Sequence, residues 1–242
     1  MLKKQIFCDY RPMSFKALLC SSVFLAMFPL TGNTAGGLAL SDTRLIIEDG
    51  RTAAAIVISN TTSTPYLTRA WVENSQGVKT ENWMVSPPIS LLMPDQSIRL
   101  QVTALDPQTL SQDQESVVYL FTHSVPGNDK QDNTLNVAFN SKLKVFYRPK
   151  DLPGNMTQAI ESLKWTLKNG VLIAKNESNF NISIVTVGLD KNYKQLSGFV
   201  LAPRESAEFR VEKKYPKKVT VRWAAMDDYG SPLIISKTIS NE

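Results

Sequence analysis

The chain has 242 residues, 43% hydrophobic and 20% charged, which is room for one large globular domain or two ordinary ones. Its formal charge of +5 is concentrated at the amino terminus: setting aside Lys3, Lys4, Arg11, Lys16 and Asp9 leaves 23 basic and 21 acidic residues, a poor argument for nucleic acid. Both cysteines, Cys8 and Cys20, lie in that same segment and the only histidine is His123, so thiolate metal sites, cysteine nucleophiles and triads needing a second histidine are excluded or strained.

Residues 1–36 have the order of a secretory signal peptide. Four basic residues precede the apolar run 17–30, and the small residues Thr34, Ala35 and Gly36 follow it. The run is too short to span a bilayer comfortably, so cleavage near Ala35 or Gly36 and no stable membrane insertion are expected. Met13 offers an alternative start. An exported chain without cysteine must be stable through its cores alone.

Residues 38–47 (L-A-L-S-D-T-R-L-I-I) read as one strand, ended by the turn Glu48-Asp49-Gly50. Strands follow at 53–59 and 66–73, the second centred on Trp71, then Trp83, Pro87-Pro88 and an apolar run ending at Pro94. Residues 97–103 and 115–122 are two more strands. The tryptophans read as core or interface packing, and His123 as an exposed strand end. After a loop at 125–133, residues 134–149 alternate Leu135, Val137 and Phe139 with Asn136, Ala138 and Asn140, then run on through Leu143, Val145 and Tyr147. Typical strands hold about five or six residues, so this one is expected to outlast its sheet. A projecting apolar strand needs something to cover it. By themselves Leu135, Val137 and Phe139 also suit an ordinary core face.

Residues 150–154 have linker composition, and the pattern restarts with candidate strands at 163–167, 171–175, 181–187, 198–201, 207–211, 219–225 and 233–239. No amphipathic helix is expected in either half. The fold class is all-β, two immunoglobulin-like β-sandwich domains at an angle with an interdomain cleft. The divisions are a signal peptide at 1–36, an N-terminal domain at 37–149, a linker at 150–154 and a C-terminal domain at 155–242. Asn60, Asn155, Asn176 and Asn181 fall in Asn-x-Ser/Thr patterns, read as chance.

The chain resembles the periplasmic chaperones of the chaperone–usher pilus pathway, the PapD-like family, over nearly its whole mature length. The resemblance is carried in order by S-D-T-R-L-I-I-E-D-G, P-Y-L-T-R-A-W-V-E, P-P-I-S-L-L-M-P, Q-D-Q-E-S, K-L-K-V-F-Y-R-P, L-A-P-R-E-S and D-D-Y-G-S. It implies that Arg44 and Lys144 bind the C-terminal carboxylate of a pilus subunit. It implies that Leu135, Val137 and Phe139 complete the subunit's unfinished fold by donor-strand complementation, and that Glu115, Arg148 and Asp228 form an interdomain ionic network. The family's Q-D-R-E-S-type segment has Gln114 in place of arginine here.

The short 125–133 loop and the missing cysteine pair resemble the class that builds rod-like pili. The implied function is a periplasmic chaperone that binds and stabilises pilus subunits and delivers them to an outer-membrane usher, with no catalysis and no cofactor. A secreted Ig-like adhesin or glycan-binding module is the alternative; nothing in the spacing supports a serine–lysine hydrolase. Strict alternation puts Lys144 on the face opposite Leu135, so a β-bulge at 140–142 or strong twist is expected to reconcile them. Lys142 is the rival cation.

Overall fold

A computed structural model describes residues 36–48, 50–127, 137–195, 199–211 and 215–241. Residues 1–35, Leu135 and most of the 125–133 loop lie outside these, and with them the signal-peptide and loop expectations.

The first lobe contains β1 (Leu38–Leu40), β2 (Arg44–Ile47), β3 (Ala53–Asn60), β4 (Tyr66–Glu73), β5 (Trp83–Ser86), β6 (Ile89–Leu92), β7 (Ser97–Ala104), β8 (Ser116–Pro126) and β9 (Phe139–Tyr147). They form two sheets, β1-β3-β7-β5 and β2-β9-β8-β4-β6. Alternate side chains such as Leu45, Ile47, Ile56, Ile58, Leu100, Leu120 and Val145 are buried between the sheets, the period-two pattern of a sandwich. The expected strand at 38–47 is in fact two strands in two sheets. β1 lies antiparallel to β3, and β2 lies parallel to β9. The polar step Ser41-Asp42-Thr43 makes the crossing, and Ser41 holds it by donating its N–H to the Val57 carbonyl at 3.0 Å while its hydroxyl accepts from Val57 N at 3.1 Å.

The second lobe begins with a short helix, α1 (Met156–Glu161), where no helix was expected. Asn155 caps it, its Oδ1 accepting from Gln158 N at 2.9 Å. Met156, Ala159 and Ile160, on one face at i, i+3 and i+4, are buried. The strands are β10 (Lys164–Lys168), β11 (Val171–Lys175), β12 (Ile184–Leu189), β13 (Asn192–Gln195), β14 (Ser206–Arg210), β15 (Lys218–Met226) and β16 (Pro232–Ser240). The sheets are β10-β11-β14 and β13-β12-β15-β16, closed on a core that includes Trp165 and Trp223. β13 was not anticipated, and the strand expected at 198–201 is reduced to a bridge between Leu201 and Ile182.

Two of the Asn-x-Ser/Thr patterns are structural devices, one in each lobe. Asn60 is buried at the end of β3; its amide donates to the carbonyls of Thr64 and Leu92 and accepts from the N–H and hydroxyl of Thr62. Asn176, just past β11, donates to the carbonyls of Phe180, Leu201 and Ala202 and accepts from the N–H and hydroxyl of Ser178. Each amide closes a turn by tying several carbonyls and one hydroxyl together.

Candidate strand-docking site

β9 has two edges of unequal length. On one side it pairs antiparallel with β8 in unbroken register from Ser116↔Tyr147 to Ser124↔Phe139. On the other side β2 covers only its C-terminal part, from Arg44↔Lys144 to Ile47↔Tyr147. Among the described residues nothing pairs with residues 139–143 on that side. Because the chain before Arg44 leaves for the other sheet, half of the β9 edge is left with open backbone donors and acceptors.

The unbroken register also corrects the expected bulge at 140–142. Phe139, Leu143 and Val145 face the core, whereas Asn140, Lys142 and Lys144 lie on the outer face. Phe139 is half-buried, tilted against Tyr66 with ring centroids 5.6 Å apart. Val137, just before the strand, is 45% exposed. The two strand-end residues therefore differ, one already packed and the other open.

Arg44 and Lys144 stand side by side where β2 meets the open edge. Arg44 Nε is buried without a hydrogen-bond partner. Burial lowers the Arg44 pKa, against the opposing pull of Asp227, then Asp228 and Glu115. Burial likewise lowers Lys144, with further depression from the neighbouring charges of Arg44 and Lys142. Two half-desolvated cations, with no hydrogen-bond acceptor for either among the described residues, favour an anion, and a carboxylate matches both the planar guanidinium and the ammonium. Lys142 is differently placed: its Nζ lies 4.3 Å from the ring centre of Tyr119 and 5.2 Å from that of Phe121, a cation–π arrangement that occupies it. Trp71 belongs to the same outer face, stacked on Phe121 at 5.6 Å, and not to the core.

Below the cations, Arg148 joins the two lobes. Its Nε and Nη2 each donate to Glu115 Oε1 at 3.0 Å, and its Nη1 and Nη2 donate to the two Asp228 oxygens at 2.9 and 2.7 Å. Glu115, Arg148 and Asp228 are thus in contact. Three further members were not anticipated. Glu48 accepts from Arg148 Nη1 at 3.1 Å, Phe180 lies under the guanidinium at 5.1 Å, and Asn181 donates its backbone N–H to Glu115 Oε2 at 2.9 Å and its amide to the Glu115 carbonyl at 2.7 Å. Burial pushes the Glu115 carboxyl up, and the charge of Arg148 and the Asn181 N–H only partly restrain it. Burial would lower Arg148, but the Asp228 hydrogen bonds and the Glu115 charge outweigh it and hold the guanidinium above its ordinary value. An isolated asparagine or phenylalanine carries no charge pattern: nothing in the sequence marked Phe180, and the Asn-x-Ser pattern at Asn181 says nothing of Glu115. A more exposed contact, Arg204 Nη1 to Asp113 Oδ2 at 2.9 Å, also links the lobes.

Two family models cover most of the chain. Residues 37–153 match the pili and flagellar-assembly chaperone, PapD N-terminal domain, and residues 158–233 match the pili assembly chaperone PapD, C-terminal domain. The "Probable fimbrial chaperone LpfB" of Escherichia coli O157:H7 is 31% identical over 169 residues, 68% of this chain and 71% of its own. The chaperone protein PmfD of Proteus mirabilis is 29% identical over 231 residues, 90% of this chain and 88% of its own. A Salmonella enterica structure of the SafA pilin in complex with the SafB chaperone shares the fold, with a TM-score of 0.73 at 20% identity over 86% of this chain and 97% of that one. Among the described residues no helix is long and apolar enough to cross a membrane.

Proposed function

This chain belongs to the family of pili-assembly chaperones, and from that premise we propose that it captures pilus subunits along the open edge of β9 and anchors their C-terminal carboxylate at Arg44 and Lys144. The observation that carries the reading is the meeting of these unpartnered cations with the end of an unpaired strand edge. A chain whose terminus is held there and which extends along residues 139–143 runs parallel to β9, in line with β2. Main-chain hydrogen bonds then supply affinity. Val137, with Leu135 and Phe139 in the donor-strand role, fills the open groove of the subunit. Anchoring the chain end also sets register, since a slip of one residue turns every apolar side chain to the wrong face.

Glu115, Arg148 and Asp228 serve to hold the two lobes in the orientation that keeps the cations beside the edge. The captured subunit is passed on to an outer-membrane usher, and the work is done in the periplasm after cleavage of a signal peptide near Ala35 or Gly36. The mature protein then spans 37–149 and 155–242 as two domains about the 150–154 linker. Family membership favours this reading over a secreted adhesin. The test is affinity capture of the tagged chain from periplasm with mass spectrometry of what co-purifies. A pilus subunit retained by the wild type and lost from Arg44→Ala and Lys144→Ala is the expected result; an unchanged yield from both variants would sink the anchor.

A further inference from the structure

The β15–β16 turn, residues 227–231, reaches from the second lobe to the start of β2. Asp227 fixes its backbone: Oδ1 accepts from Tyr229 N at 3.0 Å and from Ser231 N at 2.8 Å, and Gly230 N donates to the Asp227 carbonyl at 3.2 Å. Gly230 has φ +79°, and a Cβ there would stand 2.6 Å from Thr43 Oγ1 and 3.9 Å from Arg44 Nε. On the other flank Asp228 is gripped by Arg148. Both neighbours of Tyr229 are therefore clamped against the first lobe, yet Tyr229 itself is 94% exposed. A turn fixed on both flanks holds a large aromatic ring out to water, next in sequence to the glycine that packs beside Arg44, and such a ring costs hydrophobic exposure and has no packing role.

We propose that Tyr229 is a specificity contact of the second lobe, packing against an apolar side chain of the captured chain one or two residues from its anchored carboxylate. The proposal rests on the anchor reading above. Alternate side chains of an extended chain face opposite ways, so Tyr229 reads one of the last two positions and not both. An aromatic pair of this kind should tighten binding by roughly threefold to tenfold.

The test uses three synthetic alternating valine–threonine peptides with free carboxyl ends: one ending in two alanines, one with phenylalanine last, and one with phenylalanine second to last. Binding to the mature protein is measured by calorimetry, with C-terminal amides of each alongside. Wild type should bind one phenylalanine peptide several-fold tighter than the alanine peptide. Tyr229→Ala should erase that gain while melting like wild type, and Tyr229→Phe should keep it. A gain that survives Tyr229→Ala, or the absence of any gain in wild type, overturns the proposal while leaving the anchor standing. Amides that bind as well as acids, or no binding by any peptide, overturn the anchor and the proposal with it.

Discussion

At the scale of single residues, the site is built from groups the fold leaves dissatisfied. Lys144 and Arg44 are half-desolvated and repel one another, which is unfavourable until an anion arrives. Hydrogen bonds to charged groups contribute about 1.5–3 kcal/mol each, so Arg44→Ala or Lys144→Ala should weaken subunit capture tenfold or more. Protection of subunits from periplasmic protease measures this, with Lys142→Ala as a control that keeps most activity. The sign of the pH dependence follows from the lowered pKa of Lys144. A bound carboxylate raises that pKa again, so binding at a pH near or above the free-protein value takes up protons, and affinity should fall as pH rises through that value. Titration calorimetry in buffers of different ionisation enthalpy would detect the proton, and Lys144→Ala should abolish the uptake. In the free protein the penalty for protonated Lys144 is present below its folded pKa and relieved above it. Lys144→Met should accordingly melt at or above wild type at neutral pH; a clear loss of stability there would contradict the picture of a strained cation.

At the scale of elements, β9 is half core strand and half open edge. Leu143, Val145 and Tyr147 are buried, Phe139 is packed on Tyr66, and Val137 is open. Val137→Asp should therefore fold with an unchanged melt and lose subunit capture, because a carboxylate would have to enter an apolar groove. Phe139→Asp should instead destabilise the lobe. Circular-dichroism melts beside a subunit pull-down separate the two outcomes. The alternation of this stretch was legible because burial on one face imposes period two. Its register against β8 was not, since pairing depends on a distant strand. Of the two expected ways to reconcile Lys144 with Leu135, the bulge is absent for that reason: the register against β8 is unbroken and Lys144 stays on the outer face. The Asn60 and Asn176 turns belong to this scale too. Loss of either amide removes several hydrogen bonds from a buried turn, each worth about 0.5–1.5 kcal/mol net. Asn60→Ala and Asn176→Ala should each lower chemical-denaturation stability well beyond a surface change such as Asn82→Ala.

At the scale of the whole molecule, the lobes are joined by a network for which we propose a role in orientation more than in energy. Desolvation offsets much of the attraction in buried ion pairs, but removing one partner leaves the rest uncompensated, at about 3–5 kcal/mol. Asp228→Ala should lower stability by that order, in a urea melt, and should broaden the distribution of interlobe distances seen by X-ray scattering. Arg204→Ala, which removes the more exposed contact, should leave the melt essentially unchanged. A scattering profile for Asp228→Ala identical to wild type would show that the network does not hold the lobes in place.

The sequence by itself determined the class of molecule and its family. Period-two alternation, turn residues at short intervals and the ordered motifs from S-D-T-R-L-I-I to D-D-Y-G-S are local signals, and local signals survive without a structure. The helix at Met156–Glu161 was also written locally, in Asn155 and Gln158, but six residues are too few to show periodicity. Only tertiary structure decided that 38–47 divides between two sheets and leaves part of β9 open. It also decided that Phe180 and Glu48 join Arg148, that Asn181 binds Glu115, and that the turn carrying the exposed Tyr229 packs its Gly230 beside Arg44. Each of these depends on which residues a distant strand or turn brings within a few ångströms. Such proximity is set by the packing of two sandwiches, and no window of sequence contains it.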